Sequence, residues 1–247
     1  MKLSIVTVLV AATGSLLGCS SSPLEPGPLA DNGAAPAILP PSHGGAGPGA
    51  ASNGGAGPAQ AAATPSWTAY PKGPYGTAVG ATIQNLSFLG WKHPDLAGYD
   101  ASKFESVRLS DFYDPDGHTG VKLLAVNASA VWCGVCRREY QEMNTNNVYA
   151  TLRPLGLEVL GALFEDANSF PAQPVDAQNW AKLSTHSVKF PFVLDPGFKL
   201  GAYFDSDATP LNMLIDVRTM TIVQITMGIT DPTSKYWTQV QGMLAKM

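Results

Sequence analysis

Two cysteines with two residues between them, Cys133-Gly134-Val135-Cys136, join an apolar run to a helix-forming run. This junction restricts the possible folds more than any other feature of the chain. Val121-Lys122-Leu123-Leu124-Ala125-Val126-Asn127 is of strand length and apolar but for one Lys, and it predicts a buried strand. Arg137-Arg138-Glu139-Tyr140-Gln141-Glu142-Met143 is made mostly of good helix formers. Cys136, Tyr140 and Met143 recur at i, i+4 and i+7, along one helix face. The pair is therefore expected where a buried strand gives way to a helix N-terminus. Unpaired amides and the helix dipole favour an anion there, and the thiolate is the reactive form of cysteine. Cys133, nearer the exposed turn, is expected to be the attacking thiol, and Cys136, one helical turn inward, the resolving one. Arg137 and Arg138 either lower a thiol pKa further or are solvated charges, and both readings stay open.

The chain has three cysteines, and the third, Cys19, is far from the pair. A disulfide across two residues closes a very small loop and is a poor staple. Such a pair is a reversible redox couple or half of a metal site. A structural zinc site needs two further ligands at regular spacing. His93, His118 and His186 are scattered and no second such cysteine pair exists, so no metal is expected.

The segment Leu123 to Glu142 resembles the active-site region of thioredoxin-fold proteins. It is most similar to the anchored TlpA- and ResA-like thiol–disulfide oxidoreductases of bacterial envelopes. The resemblance implies an α/β, thioredoxin-like fold, a central mixed β-sheet flanked by helices, with an N-terminal β-hairpin extension. Asn127 matches an Asn that this family carries near the end of the preceding strand. Glu139 matches a Glu three residues after the second Cys, which implies a place near the thiols and a part in their proton traffic. From its residues alone, Glu139 is equally an exposed first-turn carboxylate stabilised by the helix dipole. Gly134-Val135 departs from the many relatives with a Pro between the thiols. Related couples run from about −270 to about −120 mV, so potential and direction of electron flow stay open.

A fold of this kind needs a second strand and helix, then a strand entered through a cis-proline that faces the cysteines. Leu157 to Phe164 predicts the strand, with Glu165 to Asn168 as a loop. Residues 176–185 predict a short helix with Asp176 as N-cap and Trp180 and Leu183 on one face. Phe190 to Gly197 reads as a short strand ending in a turn. Thr209-Pro210 followed by Leu211-Asn212-Met213-Leu214-Ile215-Asp216 resembles the family's Thr-Pro strand. Pro210 is expected to be cis, which costs little at proline. The bend would turn the backbone of Thr209 toward Cys133, free to pair with an extended substrate strand. Thr221 to Met227 alternates as a strand, and Asp231-Pro232 opens a helix whose buried stripe is Trp237, Val240 and Leu244. Ile83 to Leu89 and Val107 to Phe112 are expected to form the added hairpin. Asp114-Pro115-Asp116-Gly117 reads as a turn.

The N-terminal quarter has a different character. Met1-Lys2 precedes a mostly apolar run, Leu3 to Leu17, too short to span a membrane and shaped like a secretory signal. Leu16-Leu17-Gly18-Cys19 resembles the bacterial lipobox. This implies removal of residues 1–18 and a lipid on Cys19, with transport to the outer membrane compatible with Ser20. Residues 20–66 hold 9 Gly, 9 Pro, 12 Ala and 6 Ser, only two acidic residues and no Phe, Trp or Tyr. That composition cannot bury enough apolar surface to offset the entropy of ordering. We read 19–66 as a lipid-anchored flexible linker and 67–247 as one thioredoxin-like domain facing the periplasm or extracytoplasmic surface.

The net charge of −4 and the lack of Lys/Arg runs argue against a nucleic-acid partner. The expected activity is thiol–disulfide exchange through the Cys133–Cys136 couple, in a monomer, with no organic cofactor. Its partners would be a protein disulfide substrate and a separate thiol electron donor. Trp132, Thr209 and Pro210 are the expected substrate contacts, although Trp132 fits simple packing as well. A peroxiredoxin-like peroxidase is the first alternative. That family uses a Thr three residues before its reactive Cys and a Pro four further back, positions held here by Ala130 and Val126. A tethered, non-catalytic binding or copper-delivery module is the second. Thiolates suit Cu(I), but no Met or His adjoins the pair in sequence.

Overall fold

The computed structural model describes residues 69–183, 187–204, 208–228 and 233–247, all within the unit Ala62–Met247. Cys19, the tract 19–66 and Asp231-Pro232 lie outside the described residues. Among the described residues, seven strands form one mixed sheet. They are β1 (Ser87–Trp91), β2 (Glu105–Arg108), β3 (Leu123–Ala130), β4 (Leu157–Glu165), β5 (Phe192–Leu194), β6 (Leu211–Asp216) and β7 (Thr221–Met227), in the order β2-β1-β5-β4-β3-β6-β7. Four helices flank it: α1 (Gly134–Thr145), α2 (Val148–Leu152), α3 (Pro174–Ala181) and α4 (Thr233–Leu244). No helix among the described residues is long and apolar enough to cross a membrane.

The centre follows from burial on both faces. All eight residues of β3 are buried, which explains an apolar run without strand-like alternation. β3 pairs in parallel with β4 and antiparallel with β6. β4 pairs in parallel with β5, so the carboxyl ends of β3, β4 and β5 share one rim of the sheet, from which α1 departs. α1 turns Cys136, Glu139, Tyr140 and Met143 inward, the expected face with Glu139 added. α4 buries Trp237, Val240 and Leu244 as its sequence predicts, together with Tyr236. The central mixed sheet flanked by helices is thus the thioredoxin-like arrangement.

Several boundaries differ from expectation, each for a local reason. The N-terminal hairpin exists, but β1 begins at Ser87 rather than Ile83. The backbone N–H of Ile83 donates instead to Met220 O (2.9 Å), and that of Ile222 donates to Ala81 O (2.9 Å), at the far edge beside β7. The chain therefore touches one edge of the sheet before crossing to build the other, where β1 pairs antiparallel with both β2 and β5. Residues 109–112 form a 3-10 turn rather than strand. The Asp111 carboxylate accepts from Arg108 N (3.1 Å) and Asn85 Oδ1 accepts from Ser110 N (2.9 Å), side-chain bonds that displace a ladder.

Helix α3 starts at Pro174, not Asp176, because Pro suits the first helical position. Gln173 is its N-cap, and Asp176 reaches back to accept from Gln173 N (2.8 Å). The helix ends at Ala181, leaving Leu183 beyond it. The short α2 has no counterpart among the sequence expectations. It opens after Asn147, whose φ of 49° is left-handed, a conformation Asn tolerates well. The Asp114 turn forms as read, its buried carboxylate accepting from the backbone of His118 and Thr119 and from the Thr119 hydroxyl.

Candidate redox site

Cys133 is the N-cap of α1. Its Sγ accepts the N–H of Cys136 at 2.9 Å, the bond a Ser or Asp would accept in the same position. The sulfur thus occupies the positive end of the helix, where a thiolate is favoured. It is bonded to Cys136 Sγ in a disulfide (S–S 2.07 Å). The Thr209–Pro210 peptide is cis, and the Thr209 hydroxyl donates to Cys133 Sγ at 3.2 Å. The strand entry and the helix N-terminus thereby meet at one sulfur.

Exposure separates the two thiols less than their positions in sequence suggest. Cys133 retains 4% of its surface and Cys136 none. Access is confined to Cys133 because Cys136 lies on the buried face of α1. Trp132 is 44% exposed beside the pair, and its Nε1 donates to Glu165 Oε2 at 2.7 Å. The Arg137 guanidinium donates to Val131 O (3.2 Å) and lies 5.8 Å from the Trp180 ring centroid. That engagement ties it to the backbone and an aromatic face.

Glu139 is only 2% exposed, so the exposed first-turn reading of this residue does not hold. Its carboxylate is gripped from the sheet. Asn127 Nδ2 donates to Oε2 (2.7 Å) and Asn212 Nδ2 donates to Oε1 (2.9 Å). The second proton of Asn127 Nδ2 goes to Asn212 Oδ1 (2.9 Å), and the Ser129 hydroxyl donates to Asn127 Oδ1 (2.8 Å). Asn127 and Asn212 are direct register partners on β3 and β6, so backbone pairing sets the two amides side by side. Burial pushes the Glu139 carboxyl up to about 7; the bonds from Asn212 and Asn127 pull against that rise, and the nearby Glu142 adds to it. A carboxyl held near neutrality one helical turn from Cys136 is suited to exchanging a proton with it.

Asn212, Ser129 and Glu165 were not singled out by sequence reasoning. Asn212 carried one usable signal: it is the lone amide in an otherwise apolar strand, Leu211 to Ile215, and a buried polar group needs a partner. Ala130 and Val126 are buried in β3, so the peroxidase positions are apolar. Among the described residues, no group of three or more His, Cys, Asp or Glu side chains is arranged to hold a metal.

A thiol:disulfide interchange protein DsbE of Chlorobium tepidum superposes with a TM-score of 0.50 at 19% identity, over 68% of this chain and 99% of that one. A Bacteroides thetaiotaomicron structure named for protein disulfide isomerase does so with a TM-score of 0.50 at 23% identity, over 69% and 92%. AhpC of Enterococcus faecalis aligns at 15% identity with a TM-score of 0.47, over 68% and 94%. At these identities the first two likenesses establish the fold. No curated protein matches the chain. The AhpC/TSA family model matches residues 89–230, from within β1 to just past β7. That span takes in the strand, the helix N-terminus and the proline loop that converge on Cys133, and the chain belongs to the AhpC/TSA family.

Proposed function

We propose that this protein is an envelope thiol–disulfide oxidoreductase working through Cys133 and Cys136. The observation that carries the reading is the Cys133 sulfur, capped on a helix N-terminus and touched by the Thr209 hydroxyl ahead of a cis-proline. In the reduced protein the Cys133 thiolate attacks one sulfur of a substrate disulfide. A mixed disulfide forms and one substrate thiolate leaves. Cys136 gives its proton to Glu139 and attacks Cys133 Sγ, releasing the second substrate thiolate. Two electrons pass to the substrate and the protein is left with its Cys133–Cys136 disulfide, the state seen here. A separate thiol donor restores the dithiol. Trp132 and the Thr209–Pro210 backbone line the place of the incoming cystine. The membrane anchor is Cys19, a reading supported by the apolar run that ends in Leu16-Leu17-Gly18-Cys19.

Single-cysteine variants test the mechanism. Cys133→Ala should abolish reduction of insulin by dithiol donors, and Cys136→Ala should accumulate mixed disulfides with substrate. Full insulin reduction by both variants would reject the scheme.

The family match also supports a peroxidase reading, since the AhpC/TSA model gives it its name. Against it stand the apolar Ala130 and Val126; the hydroxyl on Cys133 Sγ is that of Thr209 instead. Hydrogen peroxide consumption with a thiol donor separates the two. A rate far above that of insulin reduction, lost in Cys133→Ala, favours the peroxidase.

A further inference from the structure

The buried amides around Glu139 divide into two kinds by origin. Asn127 lies on the strand that leads into the cysteine motif. Asn212 lies two residues past Pro210, 73 positions from Glu139 in sequence, yet its side-chain amide donates to the carboxylate. Each amide serves a different oxygen, Asn127 on Oε2 and Asn212 on Oε1. The Asn127–Asn212 bond fixes how both amides are turned, so that N–H groups rather than carbonyls face Glu139. Ser129 completes the arrangement by donating to Asn127 Oδ1. A donor set of this form stabilises a carboxylate over a carboxylic acid, because an acid would have to place its own proton against one of these N–H groups.

We propose that Asn212 is a positioning residue that, together with Asn127, clamps both oxygens of Glu139 and holds its ionised form one helical turn from Cys136. The inference rests on the reading that Glu139 takes the proton of Cys136. It adds that the proline loop contributes to both members of the pair: Thr209 bonds the Cys133 sulfur and Asn212 bonds the carboxylate beside Cys136. The other ionisable groups around Glu139 do not substitute for this clamp. Glu142 on α1 opposes ionisation; the buried phenols Tyr140 of α1 and Tyr236 of α4, pushed upward by burial and then by Glu139, are neutral where Glu139 titrates and put no charge against it. No cation is among the causes acting on Glu139, so the amides alone oppose the effect of burial.

The test is a carboxyl-carbon NMR titration of the full chain labelled at glutamate, with the Glu139 signal assigned by its loss in Glu139→Gln. Leu is nearly isosteric with Asn and donates nothing. In Asn212→Leu the Glu139 inflection should move upward by roughly one pH unit or more, the effect of losing a hydrogen bond to a charged acceptor. Asn212→Ala, which cannot clash, should move it in the same direction and serves if the Leu variant misfolds. An inflection that stays in place or falls in the folded variant overturns the proposal. A purely structural role would lower the melting temperature without moving the inflection. Insulin reduction on the same wild-type sample tests the underlying reading separately: absence of turnover removes that reading, while the titration still decides whether Asn212 clamps Glu139.

Discussion

Replacing Glu139 by Gln should change how stability depends on pH, by an amount set by the burial of its carboxyl. In the unfolded chain this group releases its proton near the ordinary value of 4.5; in the folded protein it does so at about 7. Between those values the folded state binds more protons than the unfolded one. Stability therefore falls as pH rises through that window and levels off above about 7. At 1.36 kcal/mol per pH unit the loss is about 3 kcal/mol. Glutamine does not titrate, so Glu139→Gln should lack this component. Turning the new amide toward Asn127 and Asn212 carries its own cost, but that cost is the same at every pH. All other titrating groups are common to both proteins. The assay is urea unfolding of the oxidised protein and the variant at about pH 4 and about pH 8.5. Wild type minus variant should drop by about 3 kcal/mol between the two conditions. A difference that is level in pH, or that rises, would refute the claim that Glu139 is buried as an acid of near-neutral pKa.

Three more outcomes follow from particular contacts. Gly161 lies under Tyr140: a methyl there would sit 2.5 Å from Tyr140 Oη and 2.6 Å from a Phe192 ring carbon. Gly161→Ala should cost about 1–3 kcal/mol and lower Tm by about 2–4 °C for each kcal/mol, measured by calorimetry. Thr209→Val keeps the shape and removes the hydroxyl bonded to Cys133 Sγ. Loss of that donor should leave less Cys133 thiolate at a given pH, read from ultraviolet thiolate absorbance of the reduced protein. Trp132→Ala removes a half-exposed ring whose indole N–H donates to Glu165. It should leave Tm within about 1 °C and raise KM for a protein disulfide several-fold, with a small disulfide unaffected. Equal losses for both substrates would assign Trp132 to the chemistry of the cysteines rather than to docking.

The parts of this protein that were legible in its sequence are those governed by near neighbours. A disulfide-forming pair at a helix mouth needs only the run of β3, the two cysteines and the helix formers that follow, all within about two dozen residues. Burial on both faces explains β3 and β4; helical spacing explains the stripes of α1 and α4. The Thr-Pro strand was recognisable by its resemblance to the strand that follows the proline in thioredoxin-fold proteins, and a proline limits its own backbone whatever its distant partners.

What stayed hidden depends on partners distant along the chain. Whether Glu139 was a solvated first-turn residue or a buried acid could not be read from α1, because the answer lies in two amides on β3 and β6 brought into register by sheet pairing. Trp132 takes its orientation from Glu165 at the end of β4, and Ile83 left the expected hairpin for a bond to Met220 near the opposite edge. Spacing and propensity describe what a segment does by itself. They are silent on which polar group will meet which once the sheet closes, and a buried carboxyl takes its pKa from those meetings.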